Sequence, residues 1–187
     1  MNDEAPSNVH RLRELSTQQP DEIAYVHVAI DGTETSVTWS ELDRRSSQLA
    51  VALSARGVAY GDRVGLGIRN SPEFVYSVLA TWKLGAVPIP VRWDVPDWEL
   101  ERLKEVIEPK VYIGPADLTW IQAPEDGPVP ELPDLVSPHS NGICSSGATG
   151  TPKVILSQLP AVFNPMMGIP IAEAFMRVTR PQRILVL

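Results

Sequence analysis

Nine residues late in the chain, Ser145-Ser146-Gly147-Ala148-Thr149-Gly150-Thr151-Pro152-Lys153, hold two glycines, four hydroxyls and one lysine. Glycines let a backbone curl until several N–H groups point one way, which makes a nest for an anion. Hydroxyls at 145, 146, 149 and 151 add hydrogen-bond donors for phosphate oxygens, and Lys153 adds a point charge. The stretch is not a Walker A loop, because that pattern needs Gly directly before Lys and Pro152 stands there. On residue types alone it suits a plain hairpin loop equally well, since Gly, Ser and Thr are common turn residues.

The loop has to be held by flanking strands, and the sequence supplies them. Residues 141–144 and 153–156 read as strands on either side. Earlier, Val9 to Gln18 reads as a short helix stopped by Pro20. Residues 23–30 and a run ending near Val37, joined by Asp31-Gly32, read as a hairpin. Thr38-Trp39-Ser40-Glu41 has the form of a capping box, and the helix behind it carries Leu42, Leu49 and Leu53 inward before ending at Gly57. Residues 63–68 follow as a strand. Ser71-Pro72 opens a helix with Phe74, Val78 and Trp82 on one face, Val75 and Leu79 beside them, and Gly85 at its end. Residues 86–91 read as an edge or bent strand because of Pro88 and Pro90. Asp94 and Pro96 start a helix reaching about Glu108, with Leu100, Leu103 and Ile107 inward, and residues 110–113 form the next strand.

Strands alternating with helices over short connections predict an α/β fold, a mixed, largely parallel sheet with flanking helices. The hairpin at the front is the reason to expect a mixed sheet. Residues 114–138 hold six prolines in 25 residues and read as a long surface connection. Residues 160–177 suit a broken or late-starting helix. Residues 183–187 suit an apolar strand, and the chain stops inside it.

Composition narrows the function. The 187 residues carry 16 Lys+Arg against 23 Asp+Glu, a formal charge of −7, which argues against a nucleic-acid partner. The charge is uneven. Residues 140–187 hold Lys153, Arg177, Arg180 and Arg183 against Glu173 alone, so an anion is better received there. One cysteine excludes an intrachain disulfide and favours a reducing, cytoplasmic setting. No apolar run approaches the ~18–20 residues of a membrane span, and the first residues, polar and loose to about Pro6, lack a signal-peptide pattern. His10, His27 and His139 are scattered without metal-ligand spacing, so no metal site is expected. Cys144 reads as a small strand residue, and Trp39, Trp82, Trp93 and Trp98 as packing residues.

The loop's spacing resembles the phosphate loop of the adenylate-forming (AMP-binding) superfamily, which includes acyl-CoA synthetases, luciferases and peptide-synthetase adenylation domains. Ser146, Gly147, Thr149, Gly150, Pro152 and Lys153 match the family's Thr-Ser-Gly-Ser/Thr-Thr-Gly-x-Pro-Lys-Gly form. Ser145 replaces Thr, Ala148 lacks the usual hydroxyl and Val154 replaces the last Gly. Four further segments fall in the family's order: Thr38-Trp39-Ser40-Glu41-Leu42, Gly57-Val58 with Gly61-Asp62-Arg63-Val64, Asn70-Ser71-Pro72-Glu73-Phe74, and Lys83-Leu84-Gly85-Ala86-Val87. Lys153-Val154-Ile155 and Trp93-Asp94 with Pro96 look most like a bile-acid or steroid-type acid-CoA ligase branch.

The resemblance implies that residues 1–187 are a partial N-terminal domain. The rest of that domain, the C-terminal domain and the family's other catalytic motifs would lie beyond Leu187. It implies ATP, Mg²⁺ and CoA as cofactors or substrates and a small-molecule carboxylic acid as the molecule activated. The implied phosphate binders are Ser145, Ser146, Gly147, Thr149, Gly150, Thr151 and Lys153. A catalytic residue is assignable to none of these positions. A sheet cut at Ile184–Leu187 would leave apolar surface that favours self-association. The alternative is a truncated, non-catalytic nucleotide- or partner-binding module.

Overall fold

The computed structural model describes residues 6–122, 131–145 and 152–164. The expected loose start, the loop interior at 146–151, the helix at 160–177 beyond residue 164 and the strand at 183–187 lie outside the described residues.

Helix α1 (Asn8–Gln18) starts at Ser7, whose side chain accepts from the His10 N–H. The hairpin follows as β1 (Ile23–Val28) and β2 (Glu34–Thr38), antiparallel, with a bulge between Ile23 and Tyr25. Helix α2 (Trp39–Ala55) is capped by Thr38, whose hydroxyl accepts from Glu41 N–H at 3.2 Å. It closes at Gly57, which takes φ +87° so that its own N–H and that of Val58 reach back to the Ser54 and Leu53 carbonyls. Then come β3 (Arg63–Leu66), α3 (Pro72–Lys83), β4 (Val87–Pro90), α4 (Asp97–Ile107) and β5 (Val111–Ile113). The three strands form a parallel sheet in the order β4-β3-β5. β3 therefore sits in the middle, and among the described residues β4, the strand with Pro88 and Pro90, lies at an edge.

The α/β architecture with a parallel sheet and flanking helices is the one the sequence predicts. Within it, three local features differ from the expectation. Among the described residues the β1–β2 hairpin pairs only with itself and adds no antiparallel strand to the parallel sheet. Residues 115–122 are not plain connection: a 3-10 turn (Pro115–Asp117) leads into α5 (Leu118–Gln122). Asp117 fixes that turn by accepting from Gly114 N–H and Trp120 Nε1–H, and Ile121 is buried. The α3 face is also rotated. Tyr76, Ser77, Ala80, Thr81 and Lys83 are its buried residues, with Phe74, Val75, Val78 and Leu79 packed beside the core. A helix covered by α2 on one side and the sheet on another buries more than a single stripe.

The core runs between α2, α3 and the sheet through Leu42, Leu49, Leu53, Val64, Leu66, Ala80 and Ile113. A second cluster, Val87, Ile89, Val91, Leu103 and Ile107, lies between β4 and α4. Trp39 packs on the core as expected, but Trp93 and Trp98 are 43% and 64% exposed. Trp93 instead lies under the Arg69 guanidinium, 3.6 Å from the ring centre, on the loops after β4 and β3. Among the described residues no helix is long and apolar enough to cross a membrane.

Candidate phosphate-binding hairpin

The loop strands are β6 (Gly142–Ser145) and β7 (Lys153–Leu156), an antiparallel pair as the sequence predicts. Among the described residues, the pair nearest the loop is Ser145 opposite Lys153. Directly opposed residues in a ladder share one face, so the Ser145 hydroxyl and the Lys153 ammonium stand on the same side of the hairpin mouth. Ser145 is half-buried and Lys153 is exposed. Ser146, Gly147, Thr149, Gly150 and Thr151 lie outside the described residues.

Alternation along the two strands sorts the other residues. Ile143 and Ile155 are also paired and share the Ser145–Lys153 face, 52% and 55% exposed. Cys144, Val154 and Leu156 point the other way and pack on the β4–α4 cluster. Cys144 is thus the strand residue the sequence suggests, and burial pushes its thiol above the ordinary range, which disfavours the thiolate.

The base of the hairpin is closed by backbone bonds, Ser140 N–H to the Leu159 carbonyl and Ser157 N–H to the Asn141 carbonyl. His139 Nδ1–H donates to the Ser157 carbonyl at 2.6 Å. His10 pairs with Asp134 at 3.0 Å and lies near Glu14, tying α1 to the segment before the hairpin. Both histidines are structural, and among the described residues no three Asp, Glu, His or Cys side chains gather to hold a metal.

Two supports were not visible in the sequence. Trp82, in the last turn of α3, donates its indole N–H to the Ser140 carbonyl at 2.8 Å. Its neighbour Lys83 is fully buried and donates to Asp43 and to Ser47 Oγ on α2. A lysine in a last helical turn ordinarily reads as a solvated complement to the helix dipole. Burial holds its ammonium below the usual lysine range, against the opposing pull of Asp43.

Comparison with known proteins then decides the family. The family model described as AMP-binding enzyme matches residues 12–139. The chain belongs to the AMP-binding enzyme family. Among curated relatives it is 27% identical over 135 residues to YdaB of Bacillus subtilis (strain 168), named as a putative acyl–CoA ligase. That match covers 72% of this chain and 25% of YdaB. It is also 31% identical over 158 residues to tyrocidine synthase 3 of Brevibacillus parabrevis, covering 84% of this chain and 2% of that one. The chain thus spans about a quarter or less of the curated relatives it matches. Among solved structures, the Klebsiella oxytoca NpsA N-terminal subdomain in complex with 3-hydroxyanthranilyl-AMSN superimposes with a TM-score of 0.66 at 27% identity. That match covers 81% of this chain and 40% of the other. The AMP-binding match ends before the hairpin, so it supports the family through the α/β body and leaves the loop to its own residues.

Proposed function

We propose that this chain is the N-terminal portion of an ATP-dependent acid-CoA ligase and supplies its grip on the ATP phosphates. In that reaction a carboxylate attacks the α-phosphorus of ATP, the bond to the bridging oxygen breaks and pyrophosphate leaves. The acyl-adenylate then passes its acyl group to the CoA thiol, releasing AMP. The proposed phosphate binders are Ser145, Ser146, Gly147, Thr149, Gly150, Thr151 and Lys153. They would hold the β- and γ-phosphates in place and offset the charge that grows on the leaving group.

The observation that carries this reading is the pairing of Ser145 with Lys153, a donor and a cation on one face at the mouth of a loop made of glycines and hydroxyls. Similarity to YdaB supports CoA as acyl acceptor. The bile-acid or steroid branch rests on Lys153-Val154-Ile155 and Trp93-Asp94 alone. Similarity to tyrocidine synthase 3 favours a second reading, activation of an amino acid by the same first step. Mg²⁺ would accompany the ATP phosphates, and no step is assigned to it. A cytoplasmic setting is proposed from the single cysteine.

The test is acid-dependent exchange of labelled pyrophosphate into ATP by the product of the complete reading frame. The panel holds fatty, aromatic, steroid and amino acids, followed by a CoA-thioester assay. Exchange with a fatty or steroid acid, thioester formation, and loss of both in Lys153→Ala and Thr149→Ala are expected. Exchange confined to amino acids selects the second reading. No exchange with any acid overturns both.

A further inference from the structure

We infer that Gly142 and Trp82 are positioning residues that seat the β6–β7 hairpin on the parallel sheet, and that this seating sets how tightly the Ser145–Lys153 end holds phosphate. The inference rests on the phosphate-binding reading above.

Among the described residues, β6–β7 shares no backbone ladder with β4-β3-β5. The position of its mouth therefore depends on side-chain contacts and on its base. One contact is a close approach. A Cβ on Gly142 would lie 2.3 Å from Ile89 Cδ1 and 2.9 Å from Leu156 Cδ2. Carbon atoms rest at about 3.5–4.0 Å, so any side chain at 142 lifts β6 by about 1 Å or forces Ile89 aside. Ile89 is fully buried in the β4–α4 cluster and has little room to move. Gly142 is not in the left-handed region, so the absence of a side chain here answers to space and not to backbone conformation.

The other contact is the Trp82–Ser140 hydrogen bond, two residues before β6. Trp82 can serve as an anchor because its own helix is fixed. The next residue, Lys83, is buried on α2 among Asp43 and Ser47. The chain of support thus runs from α2 through the end of α3 to the base of β6, and from β4 through Ile89 to its first residue. Gly142 and Ser145 are the two ends of the four-residue strand β6, so a shift at 142 is carried along a stiff strand to the mouth.

The experiment titrates the isotope-labelled 187-residue chain with inorganic pyrophosphate and follows the backbone amides of Ser145 and Lys153 and the Trp82 indole N–H by NMR. The variants are Gly142→Ala, Gly142→Ala with Ile89→Val, and Trp82→Phe. Ile89→Val removes the Cδ1 atom that the new methyl would meet. Wild type is expected to bind in the millimolar range. Gly142→Ala should weaken binding about tenfold or more and move the Ser145 and Lys153 amide signals, with the double variant recovering most of both. Trp82→Phe keeps the bulk, loses the donor, and should weaken binding several-fold while the β3–β5 amides stay unmoved. If Gly142→Ala does not fold, Trp82→Phe decides alone. Wild type binding with all variants equal to it overturns this inference and leaves the phosphate reading standing. Wild type that shows no response to pyrophosphate overturns the phosphate reading, and this inference with it.

Discussion

The ammonium of Lys83 closes on the carboxylate of Asp43 across the contact between α3 and α2, and no part of the lysine side chain reaches solvent. Its three donors meet Asp43 Oδ1, the Asp43 carbonyl and Ser47 Oγ, so the lysine is fully satisfied inside the core. Removing one partner of such a pair leaves the other charge buried. Asp43→Ala is expected to cost about 3–5 kcal/mol in chemical denaturation. Replacing both partners, Asp43→Leu with Lys83→Met, should recover most of that loss, because an apolar pair of similar volume is often as stable. A double variant as unstable as Asp43→Ala would show that the pair is not coupled.

The same lysine gives stability a pH slope. Its folded-state pKa is held below the ordinary value of about 10.4, chiefly by burial. The unfolded chain therefore binds this proton more readily than the folded one in the window between the depressed value and about 10.4. Stability from this group must rise as pH increases through that window, and it sits at its low plateau once pH is below the depressed value. Denaturation midpoints of wild type and Lys83→Met, measured from neutral pH to about pH 10, should differ by this rising component.

Gly85 offers a test of the turn between α3 and β4. Its φ is +66°, and a Cβ there would lie 2.5 Å from Tyr60 Cδ2. Tyr60 is 60% exposed and can swing away, while Leu135 Cβ, 3.3 Å off, has to give by a few tenths of an ångström. What remains is the left-handed backbone, about 1–3 kcal/mol for a residue with a side chain. Gly85→Ala should lose about that much stability. An unchanged midpoint would place the turn's conformation in doubt.

How much of this was readable follows from distance along the chain. Thr38 to Glu41, Ser71 to Phe74 and Ser54 to Gly57 are contacts three residues apart, so each helix end was legible from a short string. The hairpin around the loop was legible for the same reason, two β-branched or small-residue runs about a glycine-rich stretch. Lys83–Asp43 and Trp82–Ser140 are separated by 40 and 58 residues, and nothing local marks them. Lys83 in a helix's last turn looks like a surface charge, and Gly142 looks like any strand glycine. Their roles appear only once it is known which elements touch. Trp98 differs in the opposite sense: an aromatic side chain whose type suits packing stands in solvent, while Leu103 and Ile107 fill the buried face of α4.

Tyr25 carries the one buried side-chain polar atom that lacks a hydrogen-bond partner among the described residues, its hydroxyl. Burial, with Tyr76 and Glu73 nearby, pushes that phenol well above its usual range, and Tyr76 is pushed up to about 12. An unsatisfied buried hydroxyl costs about 1–3 kcal/mol of desolvation. Tyr25→Phe should therefore hold or raise the unfolding free energy, by up to about 1 kcal/mol. A clear loss of stability would show that the hydroxyl has a partner, a bound water included.

The 187-residue chain by itself should bind pyrophosphate weakly and catalyse no adenylation. Catalysis of this kind needs the reacting carboxylate and the α-phosphorus held in line, with charge stabilisers on both sides. Among the described residues the hairpin mouth offers Ser145 and Lys153 to an anion, and Lys153 is exposed on its strand. A few exposed contacts of this sort correspond to a dissociation constant near millimolar, about −4 kcal/mol. On the proposed reading such contacts would grip the departing phosphates and do nothing at the phosphorus that must be attacked. The check is acid-dependent exchange of labelled pyrophosphate into ATP by the purified chain, freed of host enzymes by two orthogonal columns, with Lys153→Ala as control. Background exchange in both is expected. Exchange by wild type that falls with Lys153→Ala would mean that residues 1–187 hold the reacting centre as well as the proposed phosphate clamp.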